Sequence, residues 1–145
     1  MLKRRGEVPI MERVEGPVAP MSAFEWDAAL ATGHAEIDRQ HQELFACSSR
    51  LLTAGPSAGP AFMELYESTR RHFDFEERLM RDIGYPHSFT HALLHSRLLG
   101  ALNAVRQEIV AEGLGDERLR TFVYRWLVGH IVEHDRPVAT AALAR

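Results

Sequence analysis

The sequence predicts an all-α protein, an up-down-up-down four-helix bundle with a flexible N-terminal tail. Three observations carry that expectation. Four long stretches repeat apolar residues at three- and four-residue spacing, the period of one helix face. Clusters of Gly and Pro punctuate the chain between these stretches. No stretch alternates apolar and polar residues as a strand would, and there is no internal repeat. Short connections between amphipathic helices then favour antiparallel neighbours.

Residues 1–22 carry Pro9, Pro17 and Pro20 without sustained periodicity, so they are expected to form the tail, with residues 23–145 forming the bundle. The first helix is expected from about Ala35 to Ala54, with Ile37, His41, Leu44, Phe45, Ser48, Leu51 and Leu52 on one face. Glu36 and Asp38 fall in its first turn, where the helix dipole favours negative charge. Gly55-Pro56 stops it. The second helix, about Ala61 to Ile83, opens after Gly59-Pro60 and aligns Phe62, Leu65, Thr69, His72, Glu76, Leu79 and Ile83. Gly84 suits its C-terminal cap. Tyr85-Pro86 turns the chain into the third, about Ser88 to Glu112, whose inner face reads His91, His95, Leu98, Leu102, Val105 and Ile109. Gly113 and Gly115 end it. Asp116 can cap the fourth helix, which runs through Leu119, Phe122, Val123, Trp126, Leu127, His130 and Ile131 to an expected stop near Pro137. Val138 to Leu143 is expected to dock as an extra apolar turn.

At 145 residues the chain is one domain with enough apolar side chains for a real core. Seventeen basic and twenty acidic residues leave a formal charge of −3, with no long block of one sign. That balance argues against nucleic acid or an anionic membrane as partner. No run approaches the roughly 18 apolar residues of a membrane span. The single cysteine, Cys47, excludes an internal disulfide and lies off the face that carries the histidines. With no apolar segment of signal-peptide length at the start, a cytoplasmic location is the expectation.

Eight histidines are the compositional anomaly, and their spacing gives them meaning. Residues four apart on a helix project from one face, so both can reach a single ion. His72 and Glu76 have that spacing, as do His91 and His95; His130 is followed by His134 and Asp135, and the first helix offers His41. Nearly all sit on stripes that must face the bundle interior. A lone His41 on an apolar face would more often be a hydrogen-bonded core residue, and a lone Glu76 a salt-bridged or exposed carboxylate, as Glu77 beside it is expected to be. Donors from every helix converging in one interior are different, because burying them without compensation costs several kcal/mol each. Metal supplies that compensation. Five imidazoles and two carboxylates exceed one tetrahedral zinc site and suit two bridged ions of a nitrogen-tolerant metal.

The strings Ile37-Asp38-Arg39-Gln40-His41, His72-Phe73-Asp74-Phe75-Glu76-Glu77, Tyr85-Pro86 followed by His91 and His95, and His130 to Asp135 together resemble the hemerythrin signature. Trp26-Asp27 resembles the start of its bacterial members, and the match spans about residues 24–137. The resemblance implies two iron ions (Fe2+/Fe3+) with an oxo or hydroxo bridge. It implies that His91, His95 and His130 hold one iron, that His41 and His72 hold the other, and that Glu76 and Asp135 bridge them. Regular helical geometry would instead pair His130 with His134, since Asp135 lies about 140° round the helix. The family pattern selects Asp135, and an early helix end at Pro137 would let the last turn deviate. Leu44, Phe73, Trp126, Leu127 and Ile131 are core residues by pattern, and by resemblance they wall the dioxygen pocket. His34, His87 and His134 are left as surface groups or as partners of the ligand histidines.

The resemblance implies reversible dioxygen binding, for storage, delivery or scavenging, rather than an enzyme. The absence of Glu-x-x-His pairs, which mark carboxylate-rich di-iron oxygenases, agrees with that. A sensor acting through a protein partner, and a redox enzyme turning over peroxide or nitric oxide with a reductant, remain as alternatives.

Overall fold

The computed structural model describes residues 24–55, 58–112 and 116–145; the expected tail, the glycines at 113 and 115 and the side chain of Asp116 lie outside the described set. A 3₁₀ turn, Ala28–Leu30, precedes three long helices: α1 Ala35–Leu52, α2 Ala58–Ile83 and α3 Ser88–Glu112. Helix α4, Asp116–Trp126, continues through a π-helical segment, Leu127–Val132, into α5, Glu133–Leu143. Trp126, Val132 and Glu133 all keep right-handed helical dihedrals, so α4, the π segment and α5 are one rod. Four helical rods pack as a bundle: α1 on α2, α2 on α3, and the fourth rod against α1 and α2.

Local chemistry fixes the helix ends. Asp38 Oδ1 accepts from Thr32 N at 2.8 Å and from Thr32 Oγ1 at 2.8 Å, and its Oδ2 accepts from Gly33 N at 3.1 Å. These bonds fold the preceding segment over the first turn of α1. His34, expected as a surface group or a ligand partner, is the N-cap, with Nδ1 accepting from Ile37 N at 3.3 Å. At the end of α2, Gly84 takes φ +68°, Tyr85 N donates to Met80 O at 2.9 Å and Gly84 N to Arg81 O at 3.2 Å. That pair of bonds is a Schellman cap.

Three boundaries differ from expectation. Helix α1 ends at Leu52, where Thr53 leaves the helical region, rather than at Ala54. Helix α2 begins at Ala58, so Pro60 falls in its first turn, where a missing N–H costs little. The fourth rod does not stop near Pro137. It carries the proline inside α5 and runs to Leu143, because Val138 and Ala139 are fully buried and their packing outweighs the break. On α2 the buried stripe passes from Glu76 to Met80, leaving Leu79 and Ile83 only half-buried.

Burial divides the bundle along its length. Phe45, Leu51, Phe62, Leu65, Leu98, Leu102, Val105, Phe122, Val123 and Trp126 belong to one continuous apolar core. His41, His72, Glu76, His91, His95, His130 and Asp135 follow it along their rods, all buried. Beyond them Ile37, Met80, Val138 and Ala139 close the other end, each at most 1 % exposed. The polar layer therefore draws on the N-terminal halves of α1 and α3, the C-terminal half of α2 and the C-terminal half of the fourth rod. Only an antiparallel up-down-up-down arrangement assembles those four pieces at one level.

Candidate metal centre

Six of the seven expected donors meet in two groups that share one residue: Glu76, His91, His95 and Asp135 form one, and His41, His72 and Asp135 the other. Asp135 Oδ2 stands 2.8 Å from His41 Nε2 and 2.8 Å from His72 Nε2, while its Oδ1 faces His91 Nε2 at 3.2 Å. Glu76 Oε1 lies 2.9 Å from His91 Nε2 and 3.0 Å from His95 Nε2. Two donor groups sharing one carboxylate is the pattern of two cations bridged by it.

His130, the seventh, is buried on the π segment and stacks on His134, with ring centroids 5.8 Å apart, but it joins neither group. The π segment also explains why Asp135 faces inward. Bonds from i to i+5 put more residues in each turn. His130, Ile131 and Val132 therefore all remain on the buried side, and Asp135 follows there. The deviation comes from this winding and not from an early helix end.

The electrostatics of the layer favour added positive charge. Burial pushes the His91 imidazole toward neutrality, but its hydrogen bonds to Asp135 and Glu76 outweigh that and raise it to about 9. Burial acts the same way on His72, and Asp135 again outweighs it, so this ring too is raised. Burial alone would raise Asp135, yet hydrogen bonds from His41, His72 and His91 hold it well below the usual carboxylate range. A proton and a metal ion compete for the same imidazole lone pair, and a cation bound there would supply the positive charge that the two carboxylates otherwise draw from protons. Glu76 Oε2 is buried without a hydrogen-bond partner among the described residues, a cost that a cation removes.

Two participants escaped the sequence reading. His95 Nδ1–H donates to Glu77 Oε2 at 2.7 Å, and His72 Nδ1–H donates to Gln40 Oε1 at 2.6 Å. Since a carboxylate oxygen and an amide oxygen only accept, both rings carry the proton on Nδ1 and present Nε2 to the interior. Each partner is adjacent in sequence to a donor, Gln40 to His41 and Glu77 to Glu76, which turns it toward the neighbouring helix. That adjacency was the available signal. His134 donates from Nδ1 to His130 O at 2.7 Å, whereas His87 lies exposed beside Tyr85. Cys47 is buried away from the centre, 3.5 Å from Ser68 Oγ.

The five apolar residues expected near the site are all buried. Leu44, Trp126 and Leu127 are fully so, and Phe73 stacks on the His95 ring at 3.8 Å and 4°. Trp126 satisfies its Nε1–H on Leu98 O at 2.9 Å.

Fold and site together define a metal-binding four-helix bundle with a histidine-rich centre. A model of the hemerythrin HHE cation binding domain matches residues 32–142. The bacteriohemerythrin of Stenotrophomonas maltophilia is 33 % identical over 125 residues, covering 82 % of this chain and 81 % of that protein. A hemerythrin-like protein of Naegleria gruberi is 31 % identical over 79 % of this chain and 89 % of its own length. The myohemerythrin of Riftia pachyptila is 26 % identical over 76 % and 86 %. The chain belongs to the hemerythrin family, and its cofactor is the family's di-iron centre. Among the described residues no helix is long and apolar enough to cross a membrane.

Proposed function

We propose that this protein binds dioxygen reversibly, serving storage, delivery or local scavenging rather than turnover. The observation that carries the reading is the donor layer itself, in which imidazoles outnumber carboxylates two to one in the two groups and apolar residues enclose it on both sides. His91 and His95, joined by His130, would hold one iron; His41 and His72 would hold the other; Asp135 and Glu76 would bridge them. Asp135 already faces both histidine sets, which supports its bridging role. When bound, the irons would supply the electrons for reversible dioxygen binding.

The protein's own residues do the rest. Asp135 and Glu76 set the charge that the imidazoles face. Gln40 and Glu77 fix which nitrogen each of their histidines turns inward. Leu44, Phe73, Trp126, Leu127 and Ile131 deny water a place beside the centre, because a dry apolar wall offers it no hydrogen-bond partners. With few carboxylates the layer gives little support to highly oxidised iron, which favours binding over oxidation. The lone, buried Cys47 agrees with a reducing, cytoplasmic compartment.

The test is iron content together with an optical spectrum of the protein, reduced without air and then exposed to it. About two irons per chain, and charge-transfer bands that appear in air and vanish when oxygen is removed, are expected. Irreversible oxidation without a stable adduct would transfer the function to sensing or to redox catalysis.

A further inference from the structure

Two metal-facing imidazoles are backed by different chemistry. His95 is gripped from both sides by adjacent residues of α2, with Glu76 Oε1 3.0 Å from Nε2 and Glu77 Oε2 2.7 Å from Nδ1. Phe73, on the same helix, stacks flat on the ring and fixes its plane. Glu77 is 31 % exposed, so its carboxylate reaches solvent at one edge while holding a buried ring at the other. His72 is backed by the neutral amide of Gln40, whose Nε2–H donates onward to Glu36 Oε2 at 2.8 Å. That carboxylate is already shared with Arg39 at 2.7 Å. A full negative charge thus stands one hydrogen bond from His95. At His72 it stands two bonds away and is balanced by a guanidinium.

We propose that Glu77 and Gln40 are positioning residues that make the two metal positions unequal, a proposal that rests on the di-iron reading above. A charge-assisted hydrogen bond is roughly twice as strong as a neutral one and pushes electron density into the imidazole. His95 is therefore the stronger donor, and the position it shares with His91 holds its cation more tightly and favours the higher charge. His72 is the weaker donor. The position it shares with His41 favours the lower charge, which suits the side that takes and releases a neutral gas. The outer partners add to the inequality that the unequal number of histidines already sets.

The test swaps the two partners, alone and together, as Glu77→Gln, Gln40→Glu and the double variant. Each change keeps the side chain's shape and an acceptor oxygen; Glu77→Gln removes a charge, and Gln40→Glu adds one while giving up the Nε2–H that Glu36 accepts. Circular dichroism establishes that each variant is folded. Metal-free protein is then titrated anaerobically with Co2+ against a competing chelator, which gives an affinity for each equivalent without any oxygen chemistry. Glu77→Gln is expected to weaken one equivalent by about 10–100-fold and leave the other near its original value. Gln40→Glu strengthens the second equivalent, and the double variant narrows the gap between the two. In the iron-loaded protein, each tenfold change in the relative stability of the two oxidation states moves the one-electron potential by about 59 mV. Two cations bound with unchanged or equally changed affinities in every folded variant would overturn the inequality while leaving the di-iron reading intact. Fewer than two Co2+ per wild-type chain would instead remove the di-iron reading, and the proposal with it.

Discussion

At the residue scale, Leu127 tests whether the apolar wall protects the centre. It is fully buried on the π segment, three residues before His130. Leu127→Ala removes three carbons from a site that cannot fully collapse, and the cavity should cost about 2–5 kcal/mol in stability. A void beside polar donors admits water, which a void among leucines alone would not. The oxygenated form of the variant is therefore expected to decay faster than wild type, followed optically after rapid mixing with air. An unchanged decay rate in a folded variant would remove the protective role from this side chain. The donors themselves were legible in the sequence because the period of a helix places His72 with Glu76, and His91 with His95, on faces that must be buried. Gln40 and Glu77 were not. On a helix flank, a polar residue turned to the neighbouring rod has the same local pattern as one turned to water; adjacency to a donor marks both as candidates, and the packing of α1 on α2 and α2 on α3 decides them. His130 stood out by burial and resemblance, yet the structure seats it outside both donor groups.

At the element scale, the start of α1 is the most exposed dependency of the site, because His41 lies less than two turns into the helix. Asp38 ties the first turn to Thr32 and Gly33. Burial pushes its carboxyl up, but the hydrogen bonds from Thr32 and Gly33 outweigh that and hold it below its ordinary value. The sign follows from the direction of the shift. A carboxyl depressed in the folded state stabilises the fold above its unfolded pKa of about 3.9, and the contribution fades as pH falls through the lower folded value. Asp38→Asn is expected to lose about 1–2 kcal/mol near neutral pH, while the two proteins converge in strong acid. Denaturant midpoints measured from pH 7 down to pH 3 check this; a constant gap across that range would exclude the carboxylate as its source. The helices were legible from their apolar stripes and from Gly84, which closes α2 with a Schellman pair. The π segment and the run through Pro137 were not, since both depend on long-range burial of Val132, Val138 and Ala139. Local signals at a proline read as an ending, and packing decides otherwise.

At the scale of the whole molecule, the polar layer is a break in an otherwise apolar bundle, and its stability is bound to its cofactor. The core on one side, from Phe45 and Leu51 across to Phe62, Leu102 and Phe122, contains no metal donor and has its own packing. On the other side Ile37, Met80, Val138 and Ala139 are few, and they stand outside that core cluster. A ligand that binds only the folded state stabilises it by about 2.7 kcal/mol at one hundred times its dissociation constant. For a chain of this size, removing the metal with a chelator should then lower the melting temperature by about 5–10 °C. The loss should also be uneven. Helical circular dichroism is expected to persist, because the apolar core needs no metal. Amide exchange should quicken around His41, from His72 to Met80, around His91 and His95, and from His130 to Ala139, with little change along 45–65 and 98–105. Hydrogen exchange with and without iron distinguishes this from a uniform effect. Equal acceleration along every helix would mean that the two halves fold as one unit and that the metal layer is not a separate point of weakness.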